Sequence, residues 1–241
     1  MICYFSATGN SKRVAERIAE AIGETAVSIE GLDPEEVSGK CLSLVTPVYF
    51  WTVPNIVQEF LRRIKPSELG FMIITYGTTT GHSTKDAEEI LGRGFSAYYQ
   101  ILMPDTWTPE FDLSDSEKVK QCAAESEHEM DNIIESIKNG DKGDFITLKK
   151  SSLTKALSNK AYSLARGTKN FTVDDTCTGC GLCAKKCPAG AIEIVEGRPT
   201  WVKAKCEICL RCLHHCPVFA IQYGNGRTRK HGQYTNPYTK V

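Results

Sequence analysis

Two copies of one cysteine run confine what this chain can become. Cys177, Cys180, Cys183 and Cys187 follow the spacing C-x2-C-x2-C-x3-C and lead into Pro188. Cys206, Cys209, Cys212 and Cys216 repeat it 29 residues later and lead into Pro217, and the same offset carries Ala191-Ile192 onto Ala220-Ile221. Three thiolates at three-residue intervals wrap a short loop around one face of a cubane. The fourth, carried away by the proline, reaches the other cluster. On that spacing Cys177, Cys180, Cys183 and Cys216 hold one [4Fe–4S] cluster. Cys206, Cys209, Cys212 and Cys187 hold a second.

Other uses of these eight cysteines fail on spacing or context. Structural zinc takes separated C-x2-C pairs rather than two runs of four. A c-type haem needs histidine directly after the C-x-x-C step, where Gly181, Ala184 and Leu213 stand instead. Disulfides call for an oxidising compartment, and no export signal is apparent. Residues 174–223 resemble bacterial two-cluster ferredoxins, which implies electron transfer. The remaining thiols, Cys3, Cys41 and Cys122, are expected to be inert: the first two inside buried strands, the third on an amphipathic helix.

A length of 241 residues suits one large and one small domain. The longest apolar stretches, such as 71–74, are far too short to span a bilayer, and the chain opens on a strand pattern without a basic leader. The expectation is a cytoplasmic protein with no membrane insertion. The formal charge is zero. Eight thiolates and two cubane cores contribute roughly −4, and a phosphate-bearing cofactor, if present, would take the loaded protein to roughly −6. Residues 149–170 contain Lys149, Lys150, Lys155, Lys160, Arg166 and Lys169 and no acid, and Arg227, Arg229, Lys230 and Lys240 make the end of the chain basic. These segments are expected to be a solvated helix face and a loose tail; the alternatives are that they offset cluster charge or dock an acidic redox partner. Neutral charge and the lack of a recognition motif argue against nucleic acid.

The first two-thirds alternates strand and helix patterns. Strands read at 1–5, 26–30, 40–47, 70–76 and 97–103, and helices at 10–22, 53–64, 84–91 and 115–139. That alternation predicts a parallel sheet covered on both faces. Ligands of such sheets bind beyond the carboxyl ends of the strands. There the first strand ends in Ser6-Ala7-Thr8-Gly9-Asn10-Ser11, opening directly into a helix. Small hydroxylated residues and a glycine let backbone N–H groups converge on an anion at a helix N-terminus, which suits a phosphate monoester. The loop lacks both the Gly-Lys-Ser/Thr of a nucleotide-hydrolysing site and a three-glycine dinucleotide fingerprint.

This loop is similar to the FMN phosphate loop of flavodoxins, and two further loops extend the likeness. One is Pro47-Val48-Tyr49-Phe50-Trp51 after the third strand. The other is Tyr76-Gly77-Thr78-Thr79-Thr80-Gly81-His82 after the fourth. In flavodoxins the corresponding loops clamp the flavin ring, so the resemblance implies FMN held by Ser6, Thr8, Gly9, Asn10, Ser11, Pro47, Val48, Tyr49, Phe50, Trp51, Tyr76, Gly77, Thr78, Thr79 and Gly81. Aromatics suit stacking on an isoalloxazine, and the Gly/Thr loop suits its polar edge. Trp107 is a candidate cover for the ring. The implied fold is an α/β flavodoxin-like five-stranded parallel sheet, order 2-1-3-4-5, with a small C-terminal α+β ferredoxin-type module.

The expected organisation is a flavin domain over 1–145, a connecting helix over 146–170, a 2[4Fe–4S] domain over 171–224 and a basic tail over 225–241. Leu153, Leu157, Ala161 and Leu164 recur at helical spacing and predict that the connecting helix packs its leucines between the domains. Whole-chain resemblance to flavodoxin-like/ferredoxin fusion proteins of anaerobic microbes implies an electron carrier working with redox partner proteins. Two other readings are a flavin-dependent reductase of a small acceptor (quinone, nitro compound or flavin) and a redox sensor in which His214 and His215, otherwise expected as ordinary surface residues, make one cluster pH-sensitive. For the reductase, His82 and Asp105 are the candidate proton donors, and no NAD(P)H site is visible.

Overall fold

The computed structural model describes residues 1–149 and 154–240. Short apolar runs build its main sheet. The elements run β1 (Ile2–Tyr4), α1 (Asn10–Ile22), β2 (Ala26–Ser28), β3 (Cys41–Pro47), α2 (Asn55–Arg63), β4 (Glu68–Tyr76), α3 (Ser83–Leu91), β5 (Ala97–Leu102), α4 (Ser116–Asn139) and β6 (Gly143–Asp144). Every neighbouring pair is parallel, in the order β2-β1-β3-β4-β5-β6. The first five strands take the flavodoxin-like order. The sixth corrects the five-strand expectation: β6 is two exposed residues that pair with Ala97 and Tyr98 through backbone alone. It buries no side chain, so no apolar run marks it in the sequence.

Side chains alternate between the two faces of each strand, so both faces need cover. On one face Leu42, Leu44, Met72 and Ile74 pack with Val57, Phe60 and Leu61 of α2 and Ala87 of α3. On the other, Val45, Ile73 and Ile101 meet Val14 and Ile18 of α1 and Met130 and Ile133 of α4. Arg13 and Arg17 of α1 bind Glu127 of α4, and Arg17 also binds Asp131. Cys3 is buried as expected, whereas Cys41, the first residue of β3, is exposed at the strand's open end. Cys122 is half-buried on α4.

The C-terminal part comprises α5 (Lys155–Ala165), β7 (Phe171–Val173), α6 (Leu182–Lys185), β8 (Ile192–Val195), β9 (Arg198–Trp201), α7 (Arg211–His214), β10 (Ile221–Tyr223) and α8 (Arg227–His231). β7 pairs with β10 and β8 with β9, both antiparallel. Among the described residues no helix is long and apolar enough to cross a membrane.

Two expectations about this part are overturned. α5 does not turn its leucines inward: Leu157 is 67% and Leu164 74% exposed, while Ser158 and Tyr162 are buried. Tyr162 dictates that rotation, because its ring stacks on Phe50 and its hydroxyl accepts the Asn55 amide at 3.1 Å. Lys155 and Arg166 are not solvated either, since they pair with Asp86, Glu89 and Glu207. Lys150 and Leu153 lie outside the described residues. The basic tail, too, is no loose end: residues 227–240 fold back across both parts of the chain. His231 Nδ1 meets the Thr108 carbonyl at 2.7 Å, and Gln233 donates to the carbonyls of Leu213 and Cys216.

A flavin cavity sharing a wall with a ring of cysteines

A cavity of about 760 Å³ opens at the carboxyl ends of β1, β3, β4 and β5. Ser6, Thr8, Asn10 and Ser11 line one end of it, Pro47 to Trp51 a side, and Tyr76 to Thr79 another. Gly9 and Gly81 lie behind that lining. Gly9, at φ 102°, turns the chain into α1, and Gly81 packs so closely on the Trp51 backbone that a Cβ there would collide with it. The first-turn N–H groups of a helix have no partners within the helix, and in α1 they fall at the phosphate end of the cavity. Ser11 and Thr75 join through their hydroxyls at 2.8 Å, and Ser6 Oγ accepts the Gly9 amide at 3.1 Å.

Three consecutive carbonyls of the phosphate loop are gripped from the far end of the chain. Arg211 Nη2 donates to Ser6 O at 2.6 Å, His215 Nε2 to Ala7 O at 3.1 Å, and the Asn236 amide to Thr8 O at 2.7 Å. The Asn10 side chain is likewise taken: its Oδ1 accepts from Tyr234 and Asn236, and its Nδ2 donates to Pro104 O. Asn10 therefore offers a phosphate its backbone rather than its amide side chain. His214 is buried rather than on the surface, and His215 is partly buried. Burial drives His214 down to about 4, so it is neutral, donating to Thr106 O and accepting the Tyr234 amide.

The aromatic loop is a tight turn. Tyr49 and Thr52 exchange both backbone bonds, at 2.9 and 3.0 Å, and Phe50 and Trp51 between them hold φ of 49° and 68°. Positive φ at both central residues is the primed turn ordinarily reserved for Asn and Gly. The Phe50 ring lies between Trp107, edge-on at 5.2 Å, and Tyr162. Trp107 does line the cavity, as do Met103, Pro104, Asp105, Thr106, Glu110 and Phe111. Asp105 packs against Gly77 and accepts the Trp107 amide at 3.0 Å, and burial raises its pKa. His82 lies outside the lining, against Thr154.

Beyond this cavity the eight repeat cysteines ring two smaller ones. Cys177, Cys180, Cys183 and Cys216 surround the first, Cys187, Cys206, Cys209 and Cys212 the second. Among the described residues no three His, Cys, Asp or Glu side chains converge tightly enough for a single metal ion. Four thiols spread around a space suit a multi-iron cluster. Backbone amides of Ala191, Ile208 and Ala220 each lie 3.3 Å from the sulfurs of Cys187, Cys206 and Cys216, the N–H···S contacts that stabilise reduced clusters. Burial pushes the Cys209 thiol up to about 12, and a coordinating metal is what deprotonates such a thiol outright.

The two rings differ in surroundings. Cys180 is exposed, whereas Cys206, Ile208, Leu210 and Leu213 are buried. The repeat explains how. Gly179, Gly181 and Gly190 hold φ of 67°, 74° and 52°, and the residues 29 positions later, Ile208, Leu210 and Phe219, hold 50°, 53° and 50°. The second run keeps the left-handed backbone but replaces glycine with large apolar side chains. Ile208, Cys209 and Leu210 line the flavin cavity together with Ala161 of α5. Glu207 beside them accepts the first-turn amide of Ile56 at 2.9 Å and pairs with Arg166. This contribution to the cavity was not foreseen from the sequence, although the loss of three glycines from the second run was its visible sign.

A helix-opening loop and an aromatic turn lining one cavity of a 2-1-3-4-5 sheet, joined to two rings of four cysteines, define a flavodoxin-like fold carrying a ferredoxin-type dicluster module. A flavodoxin domain model matches residues 1–132 and a 4Fe-4S dicluster domain model residues 176–225. The chain belongs to the flavodoxin domain family, and its cofactors are FMN and two [4Fe–4S] clusters. Electron transfer is the role these domains share, and it requires redox partners.

Among known proteins, the chain is similar to a component of an ion-translocating oxidoreductase complex from Methanosarcina acetivorans, 44% identical over 46 residues, 19% of this chain and 17% of that protein. It is also similar to the putative electron transport protein YsaA of Escherichia coli, 34% identical over 58 residues, 22% of this chain and 37% of that protein. It thus spans well under half the length of either relative. Among solved structures, the rubredoxin oxygen:oxidoreductase of Desulfovibrio gigas superimposes with a TM-score of 0.36 at 17% identity, over 54% of this chain and 35% of that one.

Proposed function

We propose that the chain is an electron-transfer flavo-iron–sulfur protein, passing electrons between FMN and two [4Fe–4S] clusters and onward to external redox carriers. One observation carries the reading: Cys209 belongs both to the wall of the flavin cavity and to a ring of four cysteines. Bound FMN exchanges two electrons in single steps, and each cluster exchanges one.

The chain's own residues supply the rest. Ser6, Thr8 and the first-turn amides of α1 hold the phosphate, Tyr49 to Trp51 and Tyr76 to Thr79 hold the ring, and Ile208 and Leu210 keep water from the shared wall. Cys206, Cys209, Cys212 and Cys187 bind the proximal cluster. Cys177, Cys180, Cys183 and Cys216 bind the distal one, whose exposed Cys180 faces outward to a carrier. A reducing compartment such as the cytoplasm keeps these thiols available. The reading is tested by anaerobic reductive titration of the reconstituted protein, counted in electrons per chain. About four, with flavin and cluster absorbance both responding, supports it. About two, with no flavin band, overturns it.

A further inference from the structure

Arg211 stands between two cluster cysteines in sequence and between two cofactor sites in space. It is 6% exposed. Its guanidinium forms a two-pronged pair with Glu30, at 2.5 and 2.6 Å, beyond the end of β2. The same group donates to the Ser6 carbonyl in the phosphate loop and to the Lys186 carbonyl, one residue before Cys187. Its Cζ lies 5.7 Å from the centre of the Phe5 ring. Its buried Nε–H has no partner among the described residues, and Arg211 lines the same cavity as Cys187, Cys206, Cys209 and Cys212. The corresponding residue in the first run is Leu182. A buried cation therefore stands in the second run where the first has leucine.

We propose that Arg211 is a positioning residue shared by both cofactors: it sets the phosphate loop through Ser6 and stabilises the reduced proximal cluster through its charge. A cation in a poorly solvated site favours whichever redox state carries the extra electron, so Arg211 raises the potential of the proximal cluster. A cluster held in that cavity would offer sulfur acceptors to the orphaned Nε–H. The fork to Glu30 and Ser6 depends on the planar guanidinium, which lysine does not reproduce. Charge and shape are thus separable.

This inference rests on the cluster assignment above, and the test reports on each separately. Iron content and the intensity of the reduced-cluster EPR signal tell whether the proximal cluster is present. Its potential tells whether Arg211 tunes it. In EPR-monitored redox titrations the proximal wave is the one unmoved by Cys180→Ser. Arg211→Gln should lower that wave so that the reduced fraction at fixed potential falls about tenfold, or about 59 mV for a one-electron couple. Glu30→Gln should raise it. Arg211→Lys should leave it near wild type while weakening FMN binding several-fold by fluorescence titration. If Arg211→Gln fails to hold the cluster, the opposite shifts expected of Glu30→Gln and the unmoved Arg211→Lys still decide. A proximal wave unchanged in Glu30→Gln, or lowered as much by lysine as by glutamine, overturns the proposal.

Discussion

Ile208 holds the backbone conformation that Gly179 holds 29 residues earlier, φ 50° against φ 67°. A β-branched residue in left-handed conformation is an outlier that costs about 1–2 kcal/mol. It persists because its side chain is buried where the second run meets the flavin cavity. Ile208→Gly therefore exchanges relieved strain for a lost apolar side chain worth about 2–5 kcal/mol. The expected result is a protein about 1–3 kcal/mol less stable in denaturant that still assembles both clusters. Gly179→Ile should do worse. Its Cβ would lie 2.6 Å from the Gly197 carbonyl, and the distal cluster should be lost, read as half the iron.

Cys180 and Cys209 should behave differently on replacement by serine. Cys180 is exposed and borders only the distal cavity. Cys180→Ser should perturb one cluster and leave FMN binding unchanged. Cys209 borders two cavities, so Cys209→Ser should alter the flavin absorption band as well as the proximal cluster. Identical flavin spectra in the two variants would contradict a shared wall.

The tail bears on flavin retention. Tyr234→Phe removes one of two donors to Asn10 Oδ1, a loss of about 1 kcal/mol, and should weaken FMN binding several-fold. Ending the chain at Gln233 removes the Asn236 bond to Thr8 as well. That truncation should release FMN on gel filtration while iron stays near wild type. Retention of FMN at wild-type affinity would show that the tail is dispensable to the loop.

Asp105 sets a pH dependence of known sign. Burial raises its pKa, with Glu110 adding to the rise and the Trp107 amide opposing it. The unfolded carboxyl loses its proton first as pH climbs, so stability falls across the interval between the ordinary carboxylate value and the raised one. Asp105→Asn keeps an oxygen for the Trp107 amide and removes that interval. The variant should match wild type near pH 3 in thermal melts and exceed it at pH 7. Its flavin potential should also rise, because a negative charge leaves the cavity wall.

Which features the sequence disclosed follows from their range. The cysteine rings, the phosphate loop and the strand order rest on spacing and periodicity, which are local. Cys177, Cys180, Cys183 and Cys216 line one cavity and Cys187, Cys206, Cys209 and Cys212 another. What escaped notice was set by one distant partner at a time. Helical spacing placed the leucines of α5 inward, but Tyr162 turns the other face in through its stack on Phe50 and its bond from the Asn55 amide. The basic tail looked soluble because its partners, Asn10 and Thr8, are more than two hundred residues away. His214 and His215 looked like surface groups for the same reason.

The grip on the carbonyls of Ser6 and Ala7 spans 205 and 208 residues of chain. At ribosomal speeds of about 5–20 residues per second, roughly 10–40 s separate the emergence of the phosphate loop from that of the groups that shape it. A nascent chain therefore exposes its flavin domain long before the loop takes its final form. The phosphate loop completes these hydrogen bonds only once the second cysteine run has been made.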